Sequence, residues 1–152
     1  MEAAAPRDSL FNSFANLKQS SIETKDDKQI IKYENGSTYT GQTKNGKRHG
    51  KGLFQDSNGN VYDGDFREDK IHGFGVYKTA EGTEYTGEWK NEVQDGKGKE
   101  VWPDGSKYTG DYAAGVKHGR GEYVWEDGST FVGDWKNGII EGQVDLSGCL
   151  QI

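Results

Sequence analysis

The chain has 152 residues, of which only 31% are hydrophobic and 29% are charged, and its formal net charge is −6. So little apolar material excludes a thick globular core, while 12% aromatics and 23 glycines point to a thin β architecture. The acidic balance argues against nucleic acid as a partner, because polyanions reward a basic surface.

Residues 1–29 do not repeat and read as a flexible N-terminal segment. There is no basic-then-apolar leader in it. Within it, Leu10, Phe11, Phe14 and Leu17 stand at helical spacing, with Asp8 or Ser9 placed to cap a short amphipathic helix. Such a helix either covers an end or face of the sheet or docks a partner, and the sequence leaves both open.

Residues 30–148 form the array. Ile30, Ile31 and Tyr33 read as the second strand of a half repeat that turns at Gly36. Five repeats of 23 residues then start at Tyr39, Tyr62, Tyr85, Tyr108 and Phe131. Counting that aromatic as position one, position three is Gly41, Gly64, Gly87, Gly110 and Gly133. Position five is Thr43, Phe66, Trp89, Tyr112 and Trp135. Glycine also recurs at positions eight, twelve, fourteen and twenty-one, so that 22 of the 23 glycines sit on the period. Each repeat reads as two short strands joined by Asn-Gly or Asp-Gly turns, which need positive φ. Asp69 and Glu92 replace the position-eight glycine, so those two turns are expected to differ. Alternation puts glycines and aromatics on one face and Thr, Asp, Glu, Lys and Arg on the other. Glycine weakens a strand unless another group approaches closely, and large rings lying over it supply that group. The fold class is therefore all-β: an extended single-layer antiparallel sheet of tandem hairpins with a short N-terminal helix.

Val144, Leu146, Gly148, Leu150 and Ile152 alternate toward the C-terminus, as in a closing strand. Residues 149–152 are a tail, Cys-Leu-Gln-Ile. Cys149 stands four from the end, where a prenyl group attaches, but Gln151 and Ile152 fit that motif poorly. As the single cysteine it forms no internal disulfide, and no apolar run is long enough to span a bilayer. These features fit a reduced, intracellular, soluble chain.

Tyr85-Thr86-Gly87-Glu88-Trp89-Lys90-Asn91, with Asp95-Gly96-Lys97-Gly98 and Trp102-Pro103-Asp104-Gly105-Ser106, resembles the MORN repeat. So does Asn45-Gly46-Lys47-Arg48-His49-Gly50-Lys51-Gly52, and the resemblance covers roughly residues 33–145. It implies a grooved antiparallel sheet and scaffolding between proteins, often in cilia, flagella and other cytoskeletal structures. For some members it implies membrane attachment through phospholipids.

Catalytic and metal chemistry find little support. His49, His72 and His118 all fall at position eleven, and repeats ~10 Å apart cannot share a metal held by bonds of about 2 Å. No phosphate loop or nucleophile elbow is present. Asp65, Glu88, Asp111 and Asp134, all at position four, read as a solvated stripe. The expected site is an aromatic groove that grips a helical or extended partner segment through Tyr62, Phe66, Tyr85, Trp89, Tyr108, Tyr112, Phe131 and Trp135. Phe54, Tyr77, Trp102, Tyr123 and Trp125 extend that face from the second strands.

The resulting expectation is a non-catalytic scaffold or adaptor of a cytoskeletal or axonemal assembly. It takes protein partners, no nucleic acid, no cofactor and no metal, and its open sheet ends permit a homodimer. The alternative is a peripheral membrane or phosphoinositide adaptor, resting on the family resemblance, the basic turn Lys44, Lys47, Arg48 and Lys51, and the weak C-terminal box at Cys149.

Overall fold

The computed structural model describes residues 17–147, and of residues 142–147 the backbone alone. Strands β1 (Gln19–Lys25) and β2 (Lys28–Tyr33) precede the five repeats. The repeats contribute β3 (Thr38–Lys44) and β4 (Lys47–Gln55), β5 (Val61–Arg67) and β6 (Lys70–Lys78), β7 (Glu84–Lys90) and β8 (Val93–Val101), β9 (Lys107–Ala113) and β10 (Val116–Val124), and β11 (Thr130–Lys136) and β12 (Ile139–Ser147). All twelve pair with their chain neighbours in one antiparallel sheet, ordered as in the sequence. Every contact between strands is thus local to one or two repeats, as in other repeat architectures.

Strand β1 falls inside the stretch 1–29 that composition suggested was a flexible flank. It pairs antiparallel with β2 through a turn at Asp26 and Asp27, whose φ values are 51° and 61°. All seven β1 residues are exposed, so neither glycine nor aromatic marks the strand in the sequence. Among the described residues β1 is an edge strand, and its Glu23 and Lys25 put charge there, which discourages unplanned pairing. The expected N-terminal helix cannot be placed: Leu10, Phe11 and Phe14 lie outside the described residues. Leu17 is not in a helix, and it packs against the aromatic core. Cys149 and the tail 149–152 also lie outside.

Each repeat joins a seven-residue strand to a nine-residue one, and the mismatch is absorbed by a bulge. In the first repeat Gly41 faces Gly52 and Thr43 faces Arg48, which leaves Gln42 opposite three residues. The third repeat does the same, with Gly87 facing Gly98 and Trp89 facing Gln94. The side chain at position four fills the gap. Gln42 Oε1 accepts the Lys51 amide at 2.7 Å, Asp65 Oδ2 the Phe74 amide at 2.9 Å, and Glu88 Oε2 the Lys97 amide at 2.6 Å. Of the acids expected to form a solvated stripe, Asp65, Glu88 and Asp111 are therefore bulge-closing acceptors. Burial raises the Asp65 carboxyl, but the hydrogen bonds from Lys51 and the Phe74 amide, with the Lys51 charge, hold it below its ordinary range.

The two turns without glycine do not differ from the rest. Glu68 and Asp69 have φ of 49° and 69°, and Asn91 and Glu92 have 47° and 73°, beside 53° and 78° at Asn45 and Gly46. A side chain in this region costs on the order of 1 kcal/mol. The same lateral tie that holds the glycine turns, as at Gly115 and Gly138, holds these two in place. The position-eight amide donates to the position-ten carbonyl of the preceding repeat, at 2.9 Å for Asp69 to Arg48 and for Glu92 to Ile71. Asp69 adds more, since its Oδ1 accepts from both the amide and Nε of Arg48 at 2.9 Å.

Candidate functional site

A one-layer sheet buries large rings only if they lie along it. The position-one tyrosines do so, because each hydroxyl donates to the main-chain carbonyl three residues on. Tyr62 reaches Asp65, Tyr85 reaches Glu88 and Tyr108 reaches Asp111, at 2.8–2.9 Å. The flattened ring crosses the position-fourteen glycine of the next strand, where a Cβ on Gly98 would stand 2.4 Å from the Tyr85 hydroxyl oxygen. Position-five rings then wedge edge-on between successive tyrosines. Trp89 meets Tyr62 at 5.5 Å and Tyr85 at 5.0 Å, and Tyr112 meets Tyr85 at 5.1 Å and Tyr108 at 5.3 Å. The indole N–H groups of Trp89 and Trp135 donate to the carbonyls of Gly75 and Gly121 at 3.3 Å.

The expected groove residues are accordingly the core. Tyr62, Phe66, Tyr85, Trp89, Tyr108, Tyr112, Phe131 and Trp135 are all 0–4% exposed. They are together on one face, but they present no open aromatic surface. Phe54, Tyr77 and Tyr123 are buried with them, and Trp102 and Trp125 are partly buried against that core. Trp102 stacks on Tyr123 at 5.7 Å, and Trp125 leans on the same ring at 4.9 Å. These two tryptophans, both at position eighteen, are the aromatic side chains of this face that a partner can reach.

Polar groups stand inside the same face, and the sequence did not disclose them. Position ten carries Arg48, Ile71, Gln94 and Lys117, all buried. Arg48 lies 5.6 Å from the Phe54 ring centre, and Lys117 lies 5.1 Å from that of Trp102. Position sixteen carries Phe54, Tyr77 and Tyr123, but Glu100 in the third repeat, fully buried. Isoleucine at 71, and again at 140 in the fifth repeat, is the signal that position ten points inward.

Glu100 accepts a hydrogen bond from Tyr112 at 2.7 Å. Burial pushes its carboxyl from 4.5 up to about 7, opposed by the Tyr112 hydrogen bond and by the Lys117 charge. Burial likewise raises the Tyr112 phenol, and the Glu100 charge adds to the effect. Because the folded state holds the Glu100 proton more tightly than the unfolded chain, this contribution to stability is complete below pH 4.5 and lost as pH rises through about 7. The melting midpoint should therefore fall from pH 5 to pH 8. Glu100→Gln should remove most of that fall, worth on the order of 1–3 kcal/mol, as followed by thermal unfolding across the range. An equal fall in wild type and variant would count against a buried, titrating Glu100.

The basic turn does not stand free. Arg48 is buried on Asp69, Lys47 pairs with Glu68 at 3.4 Å, and Lys51 pairs with Asp65. The surface that would favour an anionic headgroup is largely neutralised within the fold. Two of the three histidines act locally. His49 Nδ1 accepts the Glu68 amide at 3.3 Å and His72 Nδ1 the Asn91 amide at 3.5 Å, each at the turn of the following repeat. Among the described residues no group of three or more His, Cys, Asp or Glu side chains is placed to hold a metal.

Comparison with known proteins agrees with this geometry. The MORN repeat family matches residues 39–61, 62–84, 85–107, 108–130 and 131–143. The chain belongs to the MORN-repeat family, a family that is in general non-catalytic and whose repeats are protein-binding modules. Comparison with curated proteins yields no match. Among solved structures, the SAS-4 (dCPAP) TCP domain in complex with a proline-rich motif of Ana2 (dSTIL) of Drosophila melanogaster is similar at 16% identity and a TM-score of 0.33, over 96% of each chain.

Proposed function

We propose that this chain is a non-catalytic scaffold or adaptor subunit of a cytoskeletal assembly, with the axoneme of a cilium or flagellum as its setting. One observation carries the reading. Twelve strands follow one another in a single sheet, which offers long surfaces to partners but, among the described residues, brings no acid, base and nucleophile together. The cytoskeletal setting rests on the family resemblance. Partner contact falls on the rim that Trp102 and Trp125 line and on the outer face, since the aromatic core is closed.

Detergent extraction of cells expressing the full chain, followed by blotting of the soluble, membrane and cytoskeletal fractions, tests it. Retention with the insoluble cytoskeleton is expected. Trp102→Ala with Trp125→Ala should release the protein to the soluble fraction while its circular dichroism still reports the sheet, although lost packing on Tyr123 and Lys117 lowers the melting midpoint. Release of the unaltered chain with the membranes would overturn the scaffold reading in favour of a lipid adaptor.

A further inference from the structure

On the face opposite the rings, each junction between repeats carries a cross-strand pair. A cation at position thirteen stands opposite the position-four acid of the next repeat. Lys51 faces Asp65 and Lys97 faces Asp111, both as ion pairs. Arg120 faces Asp134, with nitrogen and oxygen 3.9 Å apart. One rung of this ladder is different, because Phe74 stands opposite Glu88.

The consequences are local and physical. The Phe74 side chain is 53% exposed, one of three large hydrophobic residues so placed among those described. Glu88 has no ion pair among the described residues, although its Oε2 accepts the Lys97 amide. Asp65 and Asp111 are partly covered beside their lysines, whereas Glu88 is exposed. Phe74 and Glu88 border a depression of about 750 Å³, which His72, Lys90, Asp95 and Lys97 also line. An exposed phenyl face beside a carboxylate without its cation suits one kind of group. A guanidinium laid over the ring gains a cation–π contact and an ion pair at once.

We propose that Phe74 and Glu88 form a receptor for an arginine side chain on a basic segment of a partner protein, which completes the ladder from outside. The net charge of −6 favours a basic partner over a second copy of this chain, and the Glu88 carboxylate repels a phosphate-bearing surface. This deepens the reading of the chain as a protein-binding scaffold but places the contact on its outer face.

The test is a titration of the full chain with Nα-acetyl-arginine amide, followed in the amide proton–nitrogen NMR spectrum. Saturable shifts are expected at Phe74, Glu88 and Lys97. Phe74→Lys rebuilds the rung its neighbours carry and should weaken binding roughly tenfold. Lys51→Phe, at an exposed position, should create a second responding site around Asp65. Shifts of equal size at Asp65, Asp111 and Glu88 in the unaltered chain, or an unchanged response in a folded Phe74→Lys variant, would overturn the proposal. A second copy as the true occupant would show instead as concentration-dependent shifts at Phe74 without the probe, which also overturns it. The titration does not depend on the cellular assembly and the extraction does not depend on this rung, so each can fail alone.

Discussion

Trp89→Ala should destabilise the chain by roughly 3–5 kcal/mol, measured by urea denaturation of the full-length protein. The indole is almost wholly buried, and its edge contacts join Tyr62 of one repeat to Tyr85 of the next. Truncation removes those contacts and the N–H donation to Gly75, and it opens a cavity that a one-layer sheet cannot close by collapse. Because each repeat contacts only its neighbours, loss of this wedge should also uncouple the repeats on either side and broaden the transition. A loss below about 1 kcal/mol would mean that the indole is solvated and that the aromatic face is open after all.

Gly98→Ala should cost about 2–3 kcal/mol, although it adds one methyl group to a residue with ordinary β geometry. The new Cβ would fall 2.4–2.6 Å from three atoms of the Tyr85 ring, which its hydroxyl bond to Glu88 holds in place. The cause is thus the ring and not the backbone, and a double-mutant cycle separates them. In a Tyr85→Ala background the ring is gone, and Gly98→Ala should become nearly neutral. Persistence of the full cost in that background would place the strain in the main chain. The same relation holds between Tyr62 and Gly75 and between Tyr108 and Gly121, so the effect should recur along the array.

These relations mark the limit of what the residues alone disclose. The 23-residue period, the two strands per repeat and the shared face of glycines and rings are all legible, because spacing and alternation carry them. The burial of Trp89 and its seven companions is not. A single-layer sheet suggests rings that stand away from it, whereas the hydroxyl-to-carbonyl bond from position one to position four lays them flat. That bond has no signature beyond an unremarkable Tyr-x-Gly. Asp65 and Glu88 look like solvated acids for a similar reason, since the three-residue bulge they close is invisible in the pattern. Lys117, Arg48 and Glu100 are charged, and charge ordinarily argues for exposure; only Ile71 and Ile140, at the same position as the first two, hint otherwise. Strand β1 is not legible in the residues, because an exposed strand needs neither alternation nor glycine.

The correction moves the binding question from the rings to the surfaces around them. On the proposed reading a partner meets Trp102, Trp125 and the outer ladder, so variants there should lose binding at a smaller cost in stability than variants of the core.

Hydroxyl-radical footprinting of the free full-length chain tests this division most directly. The account predicts strong labelling of Trp102, Trp125 and Phe74, with Tyr62, Tyr85, Trp89, Tyr108, Phe131 and Trp135 protected at least as well as Ile71. Labelling of Trp89 and Trp135 as strong as that of Trp102 would contradict it, and would return the aromatic face to the role of an open groove.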